Sequence, residues 1–554
     1  MRNKHPVVHT IATILGVRIL AQQLPAPPSS NAQVKWTTWI GLALLCLLGL
    51  GLRLRLGVPL PLWLDEGIIW ADCHLPLQDL FLWKFSQMPG PFYDFLARIS
   101  IACFGYTELA LRLPSIALGI ANILLGFWLA TRVSDRLTAF IFAAFLAVDP
   151  VLVLVDAEAR MYSLWLLLVL AAFHVIVTIL KSFDQPPAPL RLQLGPWALL
   201  GLLLALCFWA HPLAVYFWAA VGAAFVLVAL RQPAESRGSA LRVVGTGLAI
   251  AYAIAITLST PGLLKMVAIA LHRKNPLSST TNDLFAVFQT IAASHFAVFF
   301  YLAAGVGLIL FYRHKPDFGL HLLALVACAI LAVVVGQRIH HVGERHLYPI
   351  LLPLYLGLAY LLSSLARAAN SLAPRAGPVV ACIVLVSLLA YRTSQTIRRC
   401  ESIVRGAGGV YAGAHLIQYV AEHQNPGDLV ILLTPMLENR ADFYHLQGKR
   451  LERTGNWWDR ENPAFGYDLQ SLETQSPDRV WLIIEPTWQK DYYQPERQLV
   501  AACGPLCRKA PLTDEEIQAI LKEGVVRLSR DRIEGADCAE IFKDHNAPLR
   551  RLPE

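Results

Sequence analysis

The sequence predicts a polytopic α-helical membrane protein with a soluble α/β domain at its C-terminal end. Three observations predict it. Of 554 residues, 56% are hydrophobic and only 16% are charged, with a mean hydropathy of +0.49, whereas soluble domains are about a quarter charged. Apolar runs of about 20 residues, long enough to cross a bilayer, recur between residues 36 and 395. After residue 397 the chain turns polar and no such run returns. This composition excludes a disordered chain, a collagen-like repeat and an ordinary soluble enzyme.

The spans fall at roughly 36–52, 112–131, 137–154, 161–181, 195–210, 212–230, 243–260, 284–311, 320–337, 349–365 and 377–395, about eleven in all. One set of loops carries Arg2, Lys4, Arg18 and Lys35; Arg132 and Arg136; Lys181 and Arg191; Arg231, Arg237 and Arg242; Arg313 and Lys315; Arg367 and Arg375. Basic short loops mark the cytoplasmic side, so residues 1–35 are expected there. The acidic residues Asp65, Glu66, Asp72, Asp79, Asp94, Asp156, Glu158, Asp283 and Glu344 fall on the other side. Residues 1–397 hold 27 Lys+Arg against 15 Asp+Glu, and residues 398–554 hold 20 against 24. The basic surplus therefore reads as topology, and nucleic acid is not an expected partner. Residues 7–20 form a weak apolar core broken by Arg18, so the span at 36–52 reads as an uncleaved start-transfer helix.

The first outer loop is long, about residues 53–111, and within it PFYDFLARISIACF (91–104) suits an interfacial amphipathic helix. In the polar region 398–554, GDLVILL (427–433) and RVWLIIE (479–485) read as strands. YAGAHLIQYVAEHQ (411–424) and TDEEIQAILKEG (513–524) read as helices, the latter capped by Thr513. Of ten cysteines, Cys46, Cys103, Cys207, Cys328 and Cys382 lie in apolar segments, where packing is the expected role. Cys503, Cys507 and Cys538 can supply a disulfide in an oxidising compartment, with pairing left open.

Chemistry-bearing residues gather at the outer face. PLPLWLDEGIIW (59–70) places Asp65 and Glu66 between Trp63 and Trp70, just after the first span. Such a pair is either a helix-start charge complementing the macrodipole or a catalytic acid pair. VDAEARMYSLW (155–165), read as helix, sets Asp156 against Arg160 and Glu158 against Tyr162 at i,i+4. That is either a local ion pair or a second carboxylate meeting the first loop, in acid/base or metal-supported chemistry. RIHHVGERHLYPILLP (338–353) concentrates Arg338, His340, His341, Arg345, His346 and Tyr348. A cationic cluster at the lipid boundary suits a phosphate, which Arg grips bidentately; headgroup snorkelling is the alternative. Lys84, the HRK triplet at 272–274, His211 before Pro212, and Asp149 before Pro150 are lesser candidates.

The ordered set RLRLG (53–57), WLDE (63–66), RLPS (112–115), EARMYSL (158–164) and ERHLYPILLP (344–353) resembles the GT-C class of polyprenyl-phosphate-sugar-dependent membrane glycosyltransferases. That class includes protein O-mannosyltransferase-like, aminoarabinose-transferase-like and lipopolysaccharide galacturonosyltransferase-like enzymes. The resemblance covers about residues 36–395 and implies a GT-C-like bundle forming a catalytic domain over 36–397, followed by a periplasmic α/β domain over 398–554. The family's first-loop acidic motif maps onto Asp65 and Glu66. Its second outer acid and Arg-x-Tyr map onto Glu158, Arg160 and Tyr162, and its late Arg-Tyr motif maps onto Arg345 and, with two residues between them rather than none, Tyr348.

The resemblance implies transfer of a sugar from a polyprenyl phosphate to a glycolipid, polysaccharide or protein acceptor at the periplasmic face of a bacterial inner membrane. Asp65 is the expected base, with Glu66 orienting it or binding acceptor. Arg345, with Arg160 or Lys84, would hold the leaving phosphate, and Tyr162, Tyr348 and His211 complete the substrate-side set. A divalent cation, if used, would fall to Asp65 and Glu158. The rivals are a transporter or flippase and a ligase or polymerase for lipid-linked glycans; a receptor role for the tail is a third. A periplasm-specific reporter fused after residue 554 is expected to be active, and a cytoplasmic signal there would break the odd span count.

Overall fold

The structure is a computed structural model. It describes residues 32–86, 90–183, 190–272, 297–336, 348–373, 376–405 and 412–425, together with 428–432, 438–446, 449–450, 453–454, 466–467, 479–483 and 525–529. The chain divides into two compact units. The first comprises Met1–Gly57, Leu75–Gly105 and Arg112–Arg399; the second comprises Val58–His74, Tyr106–Leu111 and Cys400–Glu554.

The helices in chain order begin with α1 (Ala32–Gly57), α2 (Leu64–His74), α3 (Leu77–Ser86), α4 (Phe92–Phe104) and α5 (Glu108–Val133). Next come α6 (Arg136–Val148), α7 (Pro150–Ala157), α8 (Tyr162–Phe183), α9 (Leu190–Ala210) and α10 (Val215–Leu230). They continue with α11 (Ala234–His272), α12 (Ala297–His314), α13 (Pro316–Gly336), α14 (Leu351–Leu372) and α15 (Ala376–Arg405). Among the described residues, eight helices are long and apolar enough to cross a membrane, or nine if α6 and α7 count as one bent span. Leu194–Ala210 and Val298–His314 are apolar but shorter. The protein is a multi-pass membrane protein. Where described, each segment expected from sequence falls on one of these helices except 137–154, which is split between α6 and α7, and the count of eleven includes the two short ones. The stretch 284–296 lies outside the described residues.

Apolar side chains cannot by themselves distinguish helix from helix in lipid, so small residues decide which pairs approach. At Gly307 on α12 an added Cβ would strike the carbonyl of Gly357 on α14, and these two helices pack along their length. α14 also packs against α6, where Thr138 Oγ1 and Ser363 Oγ lie 2.7 Å apart. α6 also packs against α1.

The expected continuous span 137–154 is broken. α6 and α7 meet at Asp149 with a 52° bend. Pro150 causes it: its ring clashes with the preceding turn and it has no N–H to donate. Asp149 takes an extended conformation, and its carboxylate accepts from the N–H groups of Val151 (2.9 Å) and Leu152 (3.1 Å), capping α7. A break in apolar surroundings frees the last four carbonyls of the preceding helix. Here all four find donors. Phe145 O accepts from Asp149 N–H at 3.0 Å. Leu146 O and Ala147 O accept from Arg53 of α1 at 3.1 and 3.0 Å. Val148 O accepts from Thr396 Oγ1 of α15 at 2.6 Å. The Asp149 carboxylate also takes the guanidinium of Arg392 and the hydroxyl of Tyr355.

The second unit contains α2 and the chain after Arg399. Its described elements are α16 (Ala412–His423), β1 (Leu429–Leu432), α17 (Glu438–Phe443), β2 (Lys449–Arg450), β3 (Arg453–Thr454), β4 (Gly466–Tyr467), β5 (Arg479–Ile483) and β6 (Val525–Ser529). One sheet runs β2-β1-β5-β6, with β1 parallel to both neighbours and β5 antiparallel to β6; β3 and β4 form a separate antiparallel pair. Leu416, Ile417 and Val420 of α16 pack on Val430, Leu432, Trp481 and Ile483 of the sheet. The expected helix 513–524 and Cys503, Cys507 and Cys538 lie outside the described residues. Among the described cysteines all seven are free, and Cys103 and Cys382 are exposed rather than packed.

Replacing Asp149 with Ala removes the α7 cap and leaves Arg392 buried without its carboxylate. A loss of about 3–5 kcal/mol is expected, read as a lower melting temperature of the detergent-solubilised protein. The paired replacement Asp149→Leu with Arg392→Met should recover most of it.

Candidate active site

The best-defined polar centre of the first unit is Arg53, near the end of α1. Its guanidinium has five N–H donors and no way to shed its charge. All five are used: Nε and Nη2 donate to Asp156 Oδ2 at 3.0 and 2.6 Å, Nη2 to Leu146 O, and Nη1 to Gly49 O and Ala147 O, both at 3.0 Å. Both side chains are buried. Asp156 uses its other oxygen twice, accepting from Ser163 Oγ at 2.6 Å and from Tyr348 OH at 2.8 Å. This corrects the helical reading of 155–165. α7 ends at Ala157 and α8 begins at Tyr162, so Asp156 and Arg160 do not share a helix face; the partner of Asp156 is 103 residues away.

The intervening segment 158–161 is pinned. Glu158 is half-buried and extended where α7 closes, and its carbonyl accepts from Arg160 N–H at 2.8 Å. Ser115 of α5 lies 3.0 Å from the Arg160 carbonyl and 2.7 Å from the Tyr93 hydroxyl. The half-buried guanidinium of Arg160 sits 5.8 Å from the centre of the Tyr162 ring, a cation–π distance. His211 stacks on Trp165 with centroids 4.4 Å apart, and its Nδ1 accepts from Leu213 N–H at 3.3 Å. Lys84 is buried and paired with Asp94 at 3.2 Å. Tyr348 is fully buried.

In the second unit, Asp65 and Glu66 form the first turn of α2. Glu66 is fully buried, and its Oε2 accepts from Trp63 N–H at 3.2 Å, a carboxylate satisfying its own helix start. Asp65 is half-buried. The segment before α2 is held by the C-terminal chain: Leu62 N–H donates to Tyr444 OH at 2.8 Å, α2 packs against α17, and Trp70 meets Phe443 edge-on at 5.8 Å.

Arg345, with Arg338, His340, His341 and His346, lies outside the described residues. Among the described residues no group of three or more His, Cys, Asp or Glu is arranged to hold a metal ion. Asp156, the carboxylate two residues before Glu158, is already bound to Arg53, Ser163 and Tyr348. Sequence reasoning missed the roles of Arg53 and Arg392. Both lie close to span ends, where a charge reads equally as a topology signal, and only their partners reveal otherwise.

The ion pair Arg53–Asp156 depends on Gly119 of α5. A Cβ there would lie 2.5 Å from Asp156 Oδ2 and 2.7 Å from Arg53 Nε. Gly119→Val should therefore break the pair and lower the melting temperature. Gly51→Ala, where nothing lies within 4 Å, should leave it within a degree or two.

No protein-family model and no curated protein sequence matches the chain. Solved structures do. ArnT from Cupriavidus metallidurans bound to undecaprenyl phosphate aligns with a TM-score of 0.51 at 14% identity, over 81% of this chain and 93% of that one. ArnT from the same organism in the apo state gives 0.53 at 12%, over 86% and 96%. The archaeal oligosaccharyltransferase AglB from Archaeoglobus fulgidus, in complex with an inhibitory peptide and a dolichol-phosphate, gives 0.52 at 12%, over 85% and 72%. The chain therefore shares the fold of ArnT and AglB.

Proposed function

We propose that this protein is an integral-membrane glycosyltransferase that moves a sugar from a polyprenyl-phosphate donor to an acceptor hydroxyl or amine at the periplasmic face of a bacterial inner membrane. The observation that carries the reading is the GT-C fold, shared with structures that hold undecaprenyl phosphate and dolichol-phosphate. It is supported by the acid pair at the start of α2 and by the Glu158–Tyr162 segment at the α7–α8 junction. Residues 1–35 would be cytoplasmic, 36–397 catalytic and 398–554 a periplasmic α/β domain.

In the proposed reaction Asp65 takes the proton of the acceptor as its oxygen or nitrogen bonds to the anomeric carbon. The bond from that carbon to the lipid phosphate breaks, and the polyprenyl phosphate leaves with the electron pair. Glu66, anchored to Trp63 N–H, orients the helix start that carries Asp65. Arg345 and Arg160 stabilise the charge on the departing phosphate. Glu158 and Tyr162 position the sugar, and Lys84, His211 and Tyr348 support the substrate side.

The transporter rival needs charges committed to a path near the bilayer midplane. The buried pairs Arg53–Asp156 and Arg392–Asp149 are instead occupied with the backbone of a broken helix.

Asp65→Asn should reduce transfer from a polyprenyl-phosphate sugar by at least about 10²-fold, with expression and melting unchanged; retained turnover would remove the base assignment. Arg345→Ala should raise the apparent donor KM, and an unaltered value would end its phosphate role. Mass spectrometry of envelope glycolipids and glycoproteins, with and without the protein, would identify sugar and acceptor.

A further inference from the structure

Asp156 is absent from the catalytic and binding roles above, yet it joins four parts of the first unit. Its Oδ2 takes Arg53 at the end of α1; its Oδ1 takes Ser163 at the start of α8 and Tyr348 at the head of the α14 segment. It sits two residues before Glu158 and four before Arg160. Tyr348 follows Arg345 by three residues in the sequence. The pocket for this carboxylate is shaped on its fourth side by Gly119 of α5.

Resting on the transferase reading, we propose that Asp156 is a positioning residue whose hydrogen bond from Tyr348 ties the Glu158–Arg160 segment to the segment that begins at Tyr348, holding Glu158 and Arg160 where they address the donor headgroup. The chemistry of the contact suits the task. A hydroxyl donating to a carboxylate that is itself fixed by a guanidinium is short, directional and buried. The carboxylate cannot turn to follow a displaced partner, because Oδ2 is held by two N–H groups of Arg53. Movement of either segment is therefore transmitted to the other or breaks the bond. Tyr348 thus acts through Asp156 and presents no hydroxyl of its own to the donor.

The test compares two identical deletions in one helical segment. Tyr348→Phe and Tyr355→Phe each remove a buried hydroxyl from a buried carboxylate, Asp156 in one case and Asp149 in the other. Both should lower the melting temperature by a similar few degrees. Only Tyr348→Phe should raise the donor KM, by about tenfold, and Asp156→Asn should produce the same rise. The double variant should be no worse than either single, since all three cut one link. Equal KM values in the two Tyr variants, or a double variant whose defect is the product of the singles, would overturn the proposal; the second result would mean that Tyr348 touches donor directly.

Hydrogen exchange supplies a readout that needs no turnover and survives poor folding of Asp156→Asn. Tyr348→Phe should speed exchange of the amides of both 158–161 and 349–352, while Tyr355→Phe should leave 158–161 unchanged. If the wild type transfers no sugar, the transferase reading fails alone and exchange still decides the link; unchanged exchange at 158–161 in Tyr348→Phe would sink it.

Discussion

A broken helix inside an apolar environment must find a partner for every backbone group it frees, and the first unit is organised around meeting that demand. Pro150 stops α6 at Val148. Four carbonyls and the first N–H groups of α7 then need partners in a place where water does not reach. The partners come from α1 through Arg53, from α15 through Thr396, and from the break itself through Asp149. A Lys at position 53 could not do this, because its compact ammonium cannot serve three carbonyls and a carboxylate in one plane.

Charge brought in for hydrogen bonding must itself be neutralised. Arg53 draws in Asp156, and Asp149 draws in Arg392. Each pair is a weak source of stability taken whole, because desolvation cancels much of the attraction. Each is a strong constraint on geometry, because losing one member strands a buried charge. This explains why α5 carries glycine at 119, where any side chain would enter the ion pair. It also explains why hydroxyls from Ser163, Tyr348 and Tyr355 converge on the two carboxylates: the remaining lone pairs need donors, and in an apolar interior only side chains can supply them.

The second unit answers a different problem. Asp65 and Glu66 begin a short helix, and one of 11 residues is not stable alone. It gains its stability from the chain beyond Arg399. Tyr444 accepts from Leu62, Phe443 meets Trp70, and α17 packs along α2. The proposed base is therefore carried by a unit to which the C-terminal chain contributes most of the residues, which gives that chain a role in shaping the acid helix.

The amino-acid sequence by itself determined the class of the molecule, because hydropathy and basic-loop asymmetry are local properties of the chain. It marked the membrane-length helices, though not the break at Pro150 or the short helices α2 and α3, and it marked the amphipathic helix at 92–104 and the strands at 429–432 and 479–483. The ordered motifs around Asp65, Glu158 and Arg345 carried the resemblance to the GT-C class, and the chain shares the fold of ArnT and AglB. Only the tertiary structure decided the partners. Asp156 read as the neighbour of Arg160 because helical spacing was the sole guide, whereas a proline six residues earlier and an arginine 103 residues away set its true surroundings. Likewise nothing local ties Leu62 to Tyr444. A periodic pattern reports which face of a segment is apolar; which polar group completes a buried one depends on the three-dimensional packing of distant segments, and that is written in no single stretch of the chain.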